Sequence, residues 1–211
     1  MATALFTFAF TGVVGTVLFE RRGSIDWRIT VAVCAAALPC AFTGAWLNSL
    51  ASSEILLLLL AVVIVFAGVY TLAAWHGTRG PALQSHPAAQ QALLAGIGAV
   101  SGFGSGLTGV GGPVLSVPLM VLVGFPALAS IGTSQVIQIV AAVSGTIANV
   151  SFGAIHFGLS VPVTLVEIAG VFLGTRLAHA VSPSLLRRFV GILCVGVGLL
   201  LIVQAVRGLT S

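Results

Sequence analysis

A long apolar stretch of this chain, from Gln91 to Val123, is interrupted in its middle by glycines and a proline. Its centre reads Gly96-Ile-Gly-Ala-Val-Ser-Gly-Phe-Gly-Ser-Gly-Leu-Thr-Gly-Val-Gly-Gly-Pro113. An uninterrupted transmembrane helix has no need of such a cluster of glycines followed at once by Pro113. Backbone that faces lipid must be hydrogen-bonded, so a break of this kind is tolerated only inside protein or against a water-filled cavity.

The composition places the rest of the chain in a lipid bilayer as well. The 211 residues are 58% hydrophobic and 6% charged, with a mean hydropathy of +1.20, whereas soluble domains carry about 25% charged residues. The net charge of +4 comes from eight arginines and no lysine. So few charges exclude a nucleic-acid-binding surface and instead indicate orientation in the membrane. The composition therefore predicts an integral membrane protein whose surroundings are lipid.

Apolar segments of about 20 residues, the length that crosses the hydrocarbon core, recur along the chain. The connections are short, except for a proline-containing loop between His76 and Gln90. The sequence predicts an all-α membrane protein with about seven hydrophobic segments, of which the broken stretch is one. The segments cover approximately residues 2–19, 29–50, 54–75, 91–123, 130–151, 157–180 and 185–206.

The two halves of the chain align with each other at an offset of 130 residues. The alignment needs no gap and pairs Gly15-Thr16 with Gly145-Thr146, Gly23 with Gly153, Gly44 with Gly174, Ser52 with Ser182, and Gly68 with Gly198. We therefore predict a first repeat in residues 1–80, a linker in residues 81–90 and a second repeat in residues 91–211. Because Met1 aligns with Ile131, the first repeat lacks a counterpart of the broken stretch.

The arginines distinguish two ways in which residues 91–123 could enter the bilayer. A single span would divide the arginines between the two sides, whereas a hairpin would leave Arg207 alone on one side. The positive-inside rule favours the hairpin. Its two arms, about 91–108 and 113–124, are also short for complete spans. We therefore predict a broken helical hairpin and two inverted repeats, an arrangement typical of secondary transporters.

The break is the predicted binding site. Pro113 suits the first turn of the returning helix, whose free amide groups and positive dipole end favour an anion. Glycines at four-residue spacing before the break, Gly98, Gly102 and Gly106, instead predict close helix packing. Hydroxyl groups at Ser101, Ser105 and Thr108 add donors. The residues of this element predicted to bind substrate are Ser105, Thr108, Gly109, Gly111 and Gly112.

Two later segments carry polar groups that can face the break. Ser134, Gln138 and Asn149 share one helical face, and buried amides in a membrane are costly unless they are paired. They bind substrate in one interpretation and form a helix–helix hydrogen-bonding seam in the other.

Glu167 is the acid that lies well inside an apolar segment, which makes it a candidate proton-coupling group. The alternative is a structural partner for an amide or an arginine.

Several motifs of this chain occur together in one known family. They are Gly102-Phe-Gly-Ser-Gly-Leu-Thr-Gly-Val-Gly-Gly112, Val117-Pro118-Leu119, Gly132-Thr133-Ser134 and the loop from Arg21 to Arg28. With them the chain resembles, over nearly its whole length, the TauE/SafE sulfite exporter family of bacterial membrane transporters. The resemblance implies a multi-pass transporter of the cell (inner) membrane for small anions, such as sulfite or organosulfonates, with Thr133 near the substrate. Family members resemble tandem repeats that each open with a Gly-rich element; this chain lacks the first.

Other classes of function remain open from the sequence. A non-transporting partner subunit, or a truncated product, would fit the missing element. An intramembrane serine hydrolase would pair Ser101, Ser105 or Ser144 with His156 or His179, but Ala99-Val-Ser-Gly102 and Ala142-Val-Ser-Gly145 lack the glycine that opens the rhomboid motif. The three cysteines lie in apolar segments, where small buried hydrophobes are expected rather than metal ligands. We expect no enzymatic activity, no cofactor and no metal site, and leave homo-oligomerisation open.

Overall fold

The computed structural model describes residues 2–48, 53–73, 86–108, 112–149 and 157–210, and its regular structure there is entirely α-helical. In chain order the helices are α1 (Ala2–Glu20), α2 (Trp27–Asn48), α3 (Ser53–Ala73), α4 (Pro87–Thr108), α5 (Pro113–Leu122), α6 (Ala127–Asn149), α7 (Phe157–Ala180) and α8 (Pro183–Thr210). The all-α prediction is confirmed. The fourth predicted segment consists of two helices, α4 and α5, because the chain breaks where the glycines cluster.

Four helices in the described ranges, α2, α6, α7 and α8, are each long and apolar enough to cross a membrane. Shorter apolar stretches lie in α1, α3 and α5. With its 10 residues, α5 is about 15 Å long at 1.5 Å per residue. This is roughly half the thickness of the hydrocarbon core, so α5 reaches only part of the way across.

Helices α2 and α4 pack side by side through the glycines of α4. A Cβ atom at each of these glycines would overlap a carbonyl oxygen of α2, with Gly98 on Val33, Gly102 on Ala37 and Gly106 on Ala41. Since the residue numbers rise together, the two helices run in the same direction. Because glycine has no side chain, the backbones of α2 and α4 can approach closely, as in other membrane helix pairs. The packing role predicted for this glycine spacing is confirmed.

Helix α5 returns toward the end of the molecule where α4 begins. Leu94 and Ile97 in the first half of α4 share a buried apolar cluster with Met120 near the end of α5 and with Phe125 in the turn after it. The turn that follows α5 contains Gly124, whose φ of 92° favours glycine over other residues. Both ends of the Gly-rich element therefore lie at the same end of the molecule, and the predicted hairpin is the observed arrangement.

Most of the described arginines lie at that same end, which we call the arginine end. Arg28 lines a shallow pocket there together with Pro126 of the α5–α6 turn. From the α1–α2 loop, Arg22 donates a 2.7 Å hydrogen bond from Nη1 to the carbonyl oxygen of Thr175, near the end of α7. The other described arginines near these segment ends are Arg21, Arg176, Arg187 and Arg188. Arg207 lies near the far end of α8, as the hairpin arrangement requires.

The two halves contact each other through equivalent helices. A Cβ atom on Gly68 of α3 would lie 3.0 Å from the carbonyl oxygen of Gly191 of α8. Likewise, a Cβ atom on Gly198 of α8 would lie 3.2 Å from the carbonyl oxygen of Ala61 of α3. The 130-residue offset converts one contact into the other. The pairing is thus reciprocal and antiparallel, as inverted repeats require, while the proposed boundaries of the repeats stay a prediction.

Candidate substrate-binding site

The break between α4 and α5 lies against the middle of α6. Helix α4 ends at Thr108 and α5 begins at Pro113. A Cβ atom on Gly112 would lie 2.6 Å from Cγ2 of Ile137, and Ile137 is close to the midpoint of α6. The break therefore meets α6 at about half its length. Binding sites made by discontinuous helices are expected at such a depth in secondary transporters.

The first turn of α5 directs its N–H groups toward the break. Gly112 already has helical dihedrals, with φ −56° and ψ −38°, and Pro113 occupies the first helical position. The carbonyl oxygen of Gly112 accepts the N–H groups of Leu115 and Ser116 and also the Ser116 hydroxyl. The earliest N–H groups of a helix have no partner within it, and the dipole adds positive potential there. This turn is therefore suited to an anion.

Two serines of α4 carry buried hydroxyls that have no hydrogen-bond partner among the described residues. Ser101 is 0% exposed and Ser105 is 2% exposed, and the Oγ atom of each is unpaired. Ser101 lies one turn after Ile97, which packs in the same cluster as Met120 and Ile137, so this face of α4 points toward α5 and α6. An unpaired buried hydroxyl costs about 1–3 kcal/mol. Two such hydroxyls before a break are candidate partners for a polar ligand.

Thr133 and Ser134 lie near the start of α6, and both hydroxyls hold protein partners. The Thr30 hydroxyl donates to the carbonyl oxygen of Asp26 at 2.8 Å, so Thr133 is the donor in the 3.0 Å bond between the two threonine hydroxyls. Ser134 donates to the carbonyl oxygen of Ile131 at 2.6 Å. In this conformation these groups connect α6 to α2 and complete the first turns of α6.

Gln138 directs its amide toward α1. Its Nε2 donates to the carbonyl oxygen of Phe8 at 3.0 Å and to Oγ1 of Thr11 at 2.8 Å. The Thr11 hydroxyl donates in turn to the carbonyl oxygen of Thr7 at 3.1 Å. Both N–H groups of Gln138 are therefore used between helices. For this residue the structure shows the helix–helix seam that the sequence left as an alternative to substrate binding.

Glu167 of α7 faces α1 in the same region. Thr7 forms a side-chain hydrogen bond to its carboxylate, while Oε2 is buried and has no partner in the part of the chain that the structure describes. Gln138 thus bonds to Thr11, Thr11 bonds to the carbonyl oxygen of Thr7, and the Thr7 side chain bonds to Glu167. We call these four residues the polar chain. It connects the middle of α6, beside the break, with the carboxylate on α7.

The sequence does not show which residues of α1 belong to the polar chain. Thr7 and Thr11 belong to a stripe of hydroxyls at four-residue spacing, but nothing in the local pattern shows that the stripe faces Gln138. Gln135 also lies over α1, because a Cβ atom on Gly15 would overlap its side-chain oxygen. Contacts between residues so distant in the sequence leave no local signal.

Four of the predicted site residues have no described side chain. Gly109 and Gly111 lie outside the described ranges, between α4 and α5. Thr108 and Asn149 are the last residues of α4 and α6, and only their backbone is described. Their roles at the break stay predictions.

The described residues do not bring a serine of the hydrolase alternative to a histidine. Nε2 of His179 lies 2.8 Å from Oγ of Ser24, and its Nδ1 lies 3.1 Å from Nη1 of Arg22. Ser144 instead donates to the carbonyl oxygen of Leu38 at 3.5 Å, and His156 lies outside the described ranges. His179 therefore connects α7 to the α1–α2 loop at the arginine end, a contact that the sequence does not indicate.

Comparison with known proteins agrees with this architecture. The family described as "Sulfite exporter TauE/SafE" matches residues 1–201. The chain belongs to the TauE/SafE sulfite exporter family. The "Probable membrane transporter protein YdhB" of Bacillus subtilis (strain 168) is 25% identical over 209 residues, which are 96% of this chain and 83% of that protein. The "Probable membrane transporter protein ORF9" of Sinorhizobium sp is 27% identical over 100 residues, 47% of this chain and 38% of that protein. No solved structure matches the chain.

Membership of the TauE/SafE family makes the chain a multi-pass membrane transporter. The family match runs through the Gly-rich hairpin and both halves of the chain, so the resemblance carried by the motif from Gly102 to Gly112 is confirmed. A small-molecule substrate and a lipid environment follow from membership and from the apolar helices.

Proposed function

We propose that this TauE/SafE protein carries a small anion across the cell (inner) membrane and binds it at the α4–α5 break. The substrate class is a sulfur oxyanion or an organosulfonate, such as sulfite. The observation that carries the proposal is the pair of buried, unpaired hydroxyls at Ser101 and Ser105, on the face of α4 that points toward α5 and α6.

The charge of the substrate is inferred from the groups at the break. Serine hydroxyls and the first turn of α5 both offer hydrogen-bond donors, and the helix dipole is positive at that turn. Glu167 lies on α7 against Thr7, so it supplies no counter-charge to a cation at the break. A sulfite or sulfonate group presents several oxygens and accepts from several donors at once. The family's description as sulfite exporters supports the same class.

The remaining predicted residues are assigned to the site by their position along α4, α5 and α6. Thr108, Gly109, Gly111 and Gly112 would supply hydroxyl and N–H donors at the break itself. Three residues of α6, Thr133, Ser134 and Gln138, would contact the substrate only in a conformation in which they exchange their present bonds. Asn149 is assigned to the site by its place at the end of α6.

We also propose that Glu167 couples transport to protons. An ionised carboxylate accepts the Thr7 hydroxyl, whereas a protonated carboxyl group can donate. The change therefore alters the hydrogen bonding of the Thr7 side chain and with it the contact of α7 with α1, the helix that Gln138 bonds through Phe8 and Thr11. Gln138 adjoins Ile137, the residue that Gly112 contacts. Protonation at α7 would in this way bias the packing of α6 against the break.

The orientation follows from the arginine end. Positively charged residues are enriched on the cytoplasmic side of membrane proteins. The arginine end is therefore assigned to the cytoplasm, and both ends of the α4–α5 hairpin lie on that side.

Uptake into proteoliposomes tests the proposal. Purified protein is reconstituted, and the entry of labelled sulfite, sulfoacetate or taurine is measured below saturation. Ser105→Ala should lower uptake about tenfold or more, because a hydrogen bond to a charged group contributes about 1.5–3 kcal/mol. Ser130→Ala is the matched control: Ser130 is equally buried, but its hydroxyl is bonded to the carbonyl oxygen of Pro126.

Two results would contradict the proposal. Equal uptake by Ser105→Ala and wild type would remove the break as the binding site. Wild-type uptake no faster than that of protein-free vesicles, for all three anions, would remove this substrate class.

A further inference from the structure

A pocket at the arginine end lies between the α1–α2 loop and the start of α6. The loop contributes residues 23–28, and the other wall is formed by Pro126, Leu128 and Ala129. The volume of the pocket, about 660 Å³, lies within the range of about 300–1,000 Å³ that is typical of small-molecule sites. Neither the α4–α5 break nor the polar chain includes any of these residues, so the pocket is separate from the candidate substrate-binding site.

Two opposite charges line this pocket without pairing with each other. Oδ1 of Asp26 accepts the backbone N–H of Arg28 at 3.0 Å. Among the described residues, Oδ2 of Asp26 and the Arg28 guanidinium have no partner, and both side chains are exposed. A guanidinium is a strong donor to phosphate, and a carboxylate is a strong acceptor from an ammonium group. The two side chains therefore suit a ligand that carries both charges close together.

The pocket lies at the depth of lipid headgroups. Two of the helices that are able to cross a membrane, α2 and α6, begin beside it at Trp27 and Ala127. Trp27 and Trp46, near the two ends of α2, are 45% and 61% exposed. The helix between them is about 28 Å long at 1.5 Å per residue, close to the roughly 30 Å of the hydrocarbon core. Since tryptophan is enriched at both membrane interfaces, Trp27 marks the interface at the arginine end.

An exposed apolar track leads from the pocket along the outside of α2. Val31, Leu38 and Phe42 follow Trp27 at helical spacing and are 60%, 55% and 45% exposed. Acyl chains can lie along this track while a headgroup occupies the pocket. The pocket thus joins a pair of unlike charges to a surface that suits hydrocarbon chains.

We propose that this pocket binds a zwitterionic phospholipid whose headgroup carries a primary ammonium group, of which phosphatidylethanolamine is the simple case. The Arg28 guanidinium donates to the phosphate oxygens, and the Asp26 carboxylate accepts from the ammonium group. The dipole of α6 is positive at its start, beside the pocket, and favours the phosphate as well. The acyl chains follow the track on α2.

The chemistry of the two charges distinguishes this lipid from others. The quaternary ammonium group of phosphatidylcholine has no N–H to donate, so it leaves the Asp26 carboxylate without a hydrogen bond. Phosphatidylglycerol has no cationic group and brings a second negative charge toward the same carboxylate. Phosphatidylethanolamine is therefore the preferred ligand of the three.

Native mass spectrometry of the full chain tests the proposal. The protein in detergent is incubated with phosphatidylethanolamine, phosphatidylcholine or phosphatidylglycerol of identical acyl chains, and the bound fraction gives the affinity for each lipid. Arg28→Gln removes the guanidinium, and its matched control is Arg21→Gln, at an exposed arginine of the same loop that does not line the pocket. Asp26→Asn removes the negative charge but keeps an oxygen that caps α2, so the fold is preserved.

Phosphatidylethanolamine should bind at least about threefold more tightly than either of the other lipids, an effect of the size that exposed ion pairs produce. Arg28→Gln and Asp26→Asn should each lower its affinity by about the same factor, whereas Arg21→Gln should not.

Three results would overturn the proposal. Tightest binding of phosphatidylglycerol, strengthened by Asp26→Asn, would assign the pocket to an anionic lipid. An equal loss of affinity in Arg21→Gln and Arg28→Gln would show that the summed positive charge of this end binds lipid, rather than the pocket. Displacement of the lipid by an equal concentration of soluble phosphoethanolamine would assign the pocket to a soluble ligand.

The fluorescence of Trp27 supplies a second readout, in a bilayer. In a chain with Trp46→Phe and Trp75→Phe, Trp27 is the remaining tryptophan, and bromine atoms on the acyl chains of a neighbouring lipid quench it. Nanodiscs of phosphatidylcholine receive the same small fraction of brominated phosphatidylethanolamine or brominated phosphatidylcholine. The ethanolamine lipid should quench at least about twice as strongly, and Asp26→Asn should make the two lipids equal. Equal quenching without that substitution, or a preference that survives it, overturns the proposal.

Discussion

Gln138 donates a 3.0 Å hydrogen bond from Nε2 to the carbonyl oxygen of Phe8, the residue 130 positions before it. The two residues hold corresponding places in the two halves of the chain, and the bond lies where α1 crosses α6. Ile137, the neighbour of Gln138, contacts Gly112 at the break. One contact thus joins the halves directly beside the candidate binding site.

Replacing Gln138 with leucine should lower stability. The substitution removes both hydrogen bonds to α1, and hydrogen bonds between membrane helices contribute about 0.6 and at most about 1.7 kcal/mol each. Tm measured by thermal unfolding in detergent should fall by about 2–6 °C. Gln91→Leu, at an exposed position of α4, should not change Tm. Equal shifts for the two variants would show that the Gln138 amide does not join α1 to α6.

Alanine at Gly102 and at Gly96 should affect stability in opposite directions. A Cβ on Gly102 would overlap the carbonyl oxygen of Ala37, whereas one on Gly96 would meet nothing within 4 Å. Overpacking should cost about 1–3 kcal/mol at Gly102, while Gly96→Ala should be neutral or stabilise by up to about 1 kcal/mol through helix propensity. Both are read from the unfolding midpoint in detergent. An equal fall in the unfolding midpoint for Gly96→Ala would show that the close contact of α4 with α2 is not the cause.

The Glu167→Gln variant should separate transport from proton coupling. Glutamine still accepts the Thr7 hydroxyl, so the fold is kept, but it cannot gain or lose a proton. An inward proton gradient across proteoliposomes should drive accumulation of labelled sulfite by wild type, whereas Glu167→Gln should only equilibrate it. Glu20→Gln controls for loss of a carboxylate, because Glu20 is exposed at the end of α1 and accepts a hydrogen bond from Trp27 at the start of α2. Accumulation by Glu167→Gln at the wild-type level would exclude Glu167 as the coupling group.

The parts of the fold that depend on local sequence are predictable. Glycines at positions 98, 102 and 106 indicate a packing face, and the cluster before Pro113 indicates a break, because both properties reside in the backbone of a few neighbouring residues. The offset of 130 residues similarly predicts which helices are equivalent. The arginine distribution favours the hairpin because orientation depends on charge summed over whole loops.

The side-chain contacts are not predictable in the same way. Thr133 and Gln138 both suggest a polar site, yet Thr133 bonds to Thr30 and Gln138 bonds to Phe8 and Thr11. The rotation of each helix about its axis decides whether such a side chain faces a neighbouring helix or a cavity. Ser101 and Ser105 differ from them because their hydroxyls have no described partner, and a sequence does not show which of several buried serines is left unpaired.

The direct test of the binding site is sulfite binding to purified protein carrying both Ser101→Ala and Ser105→Ala. Because these hydroxyls are unpaired within the described structure, their removal should leave Tm of the substrate-free protein unchanged or slightly higher. Calorimetric titration in oxygen-free buffer should show affinity at least about tenfold weaker than wild type. Ser130→Ala should bind as wild type does. A double variant that binds sulfite as tightly as wild type would contradict a site at the α4–α5 break.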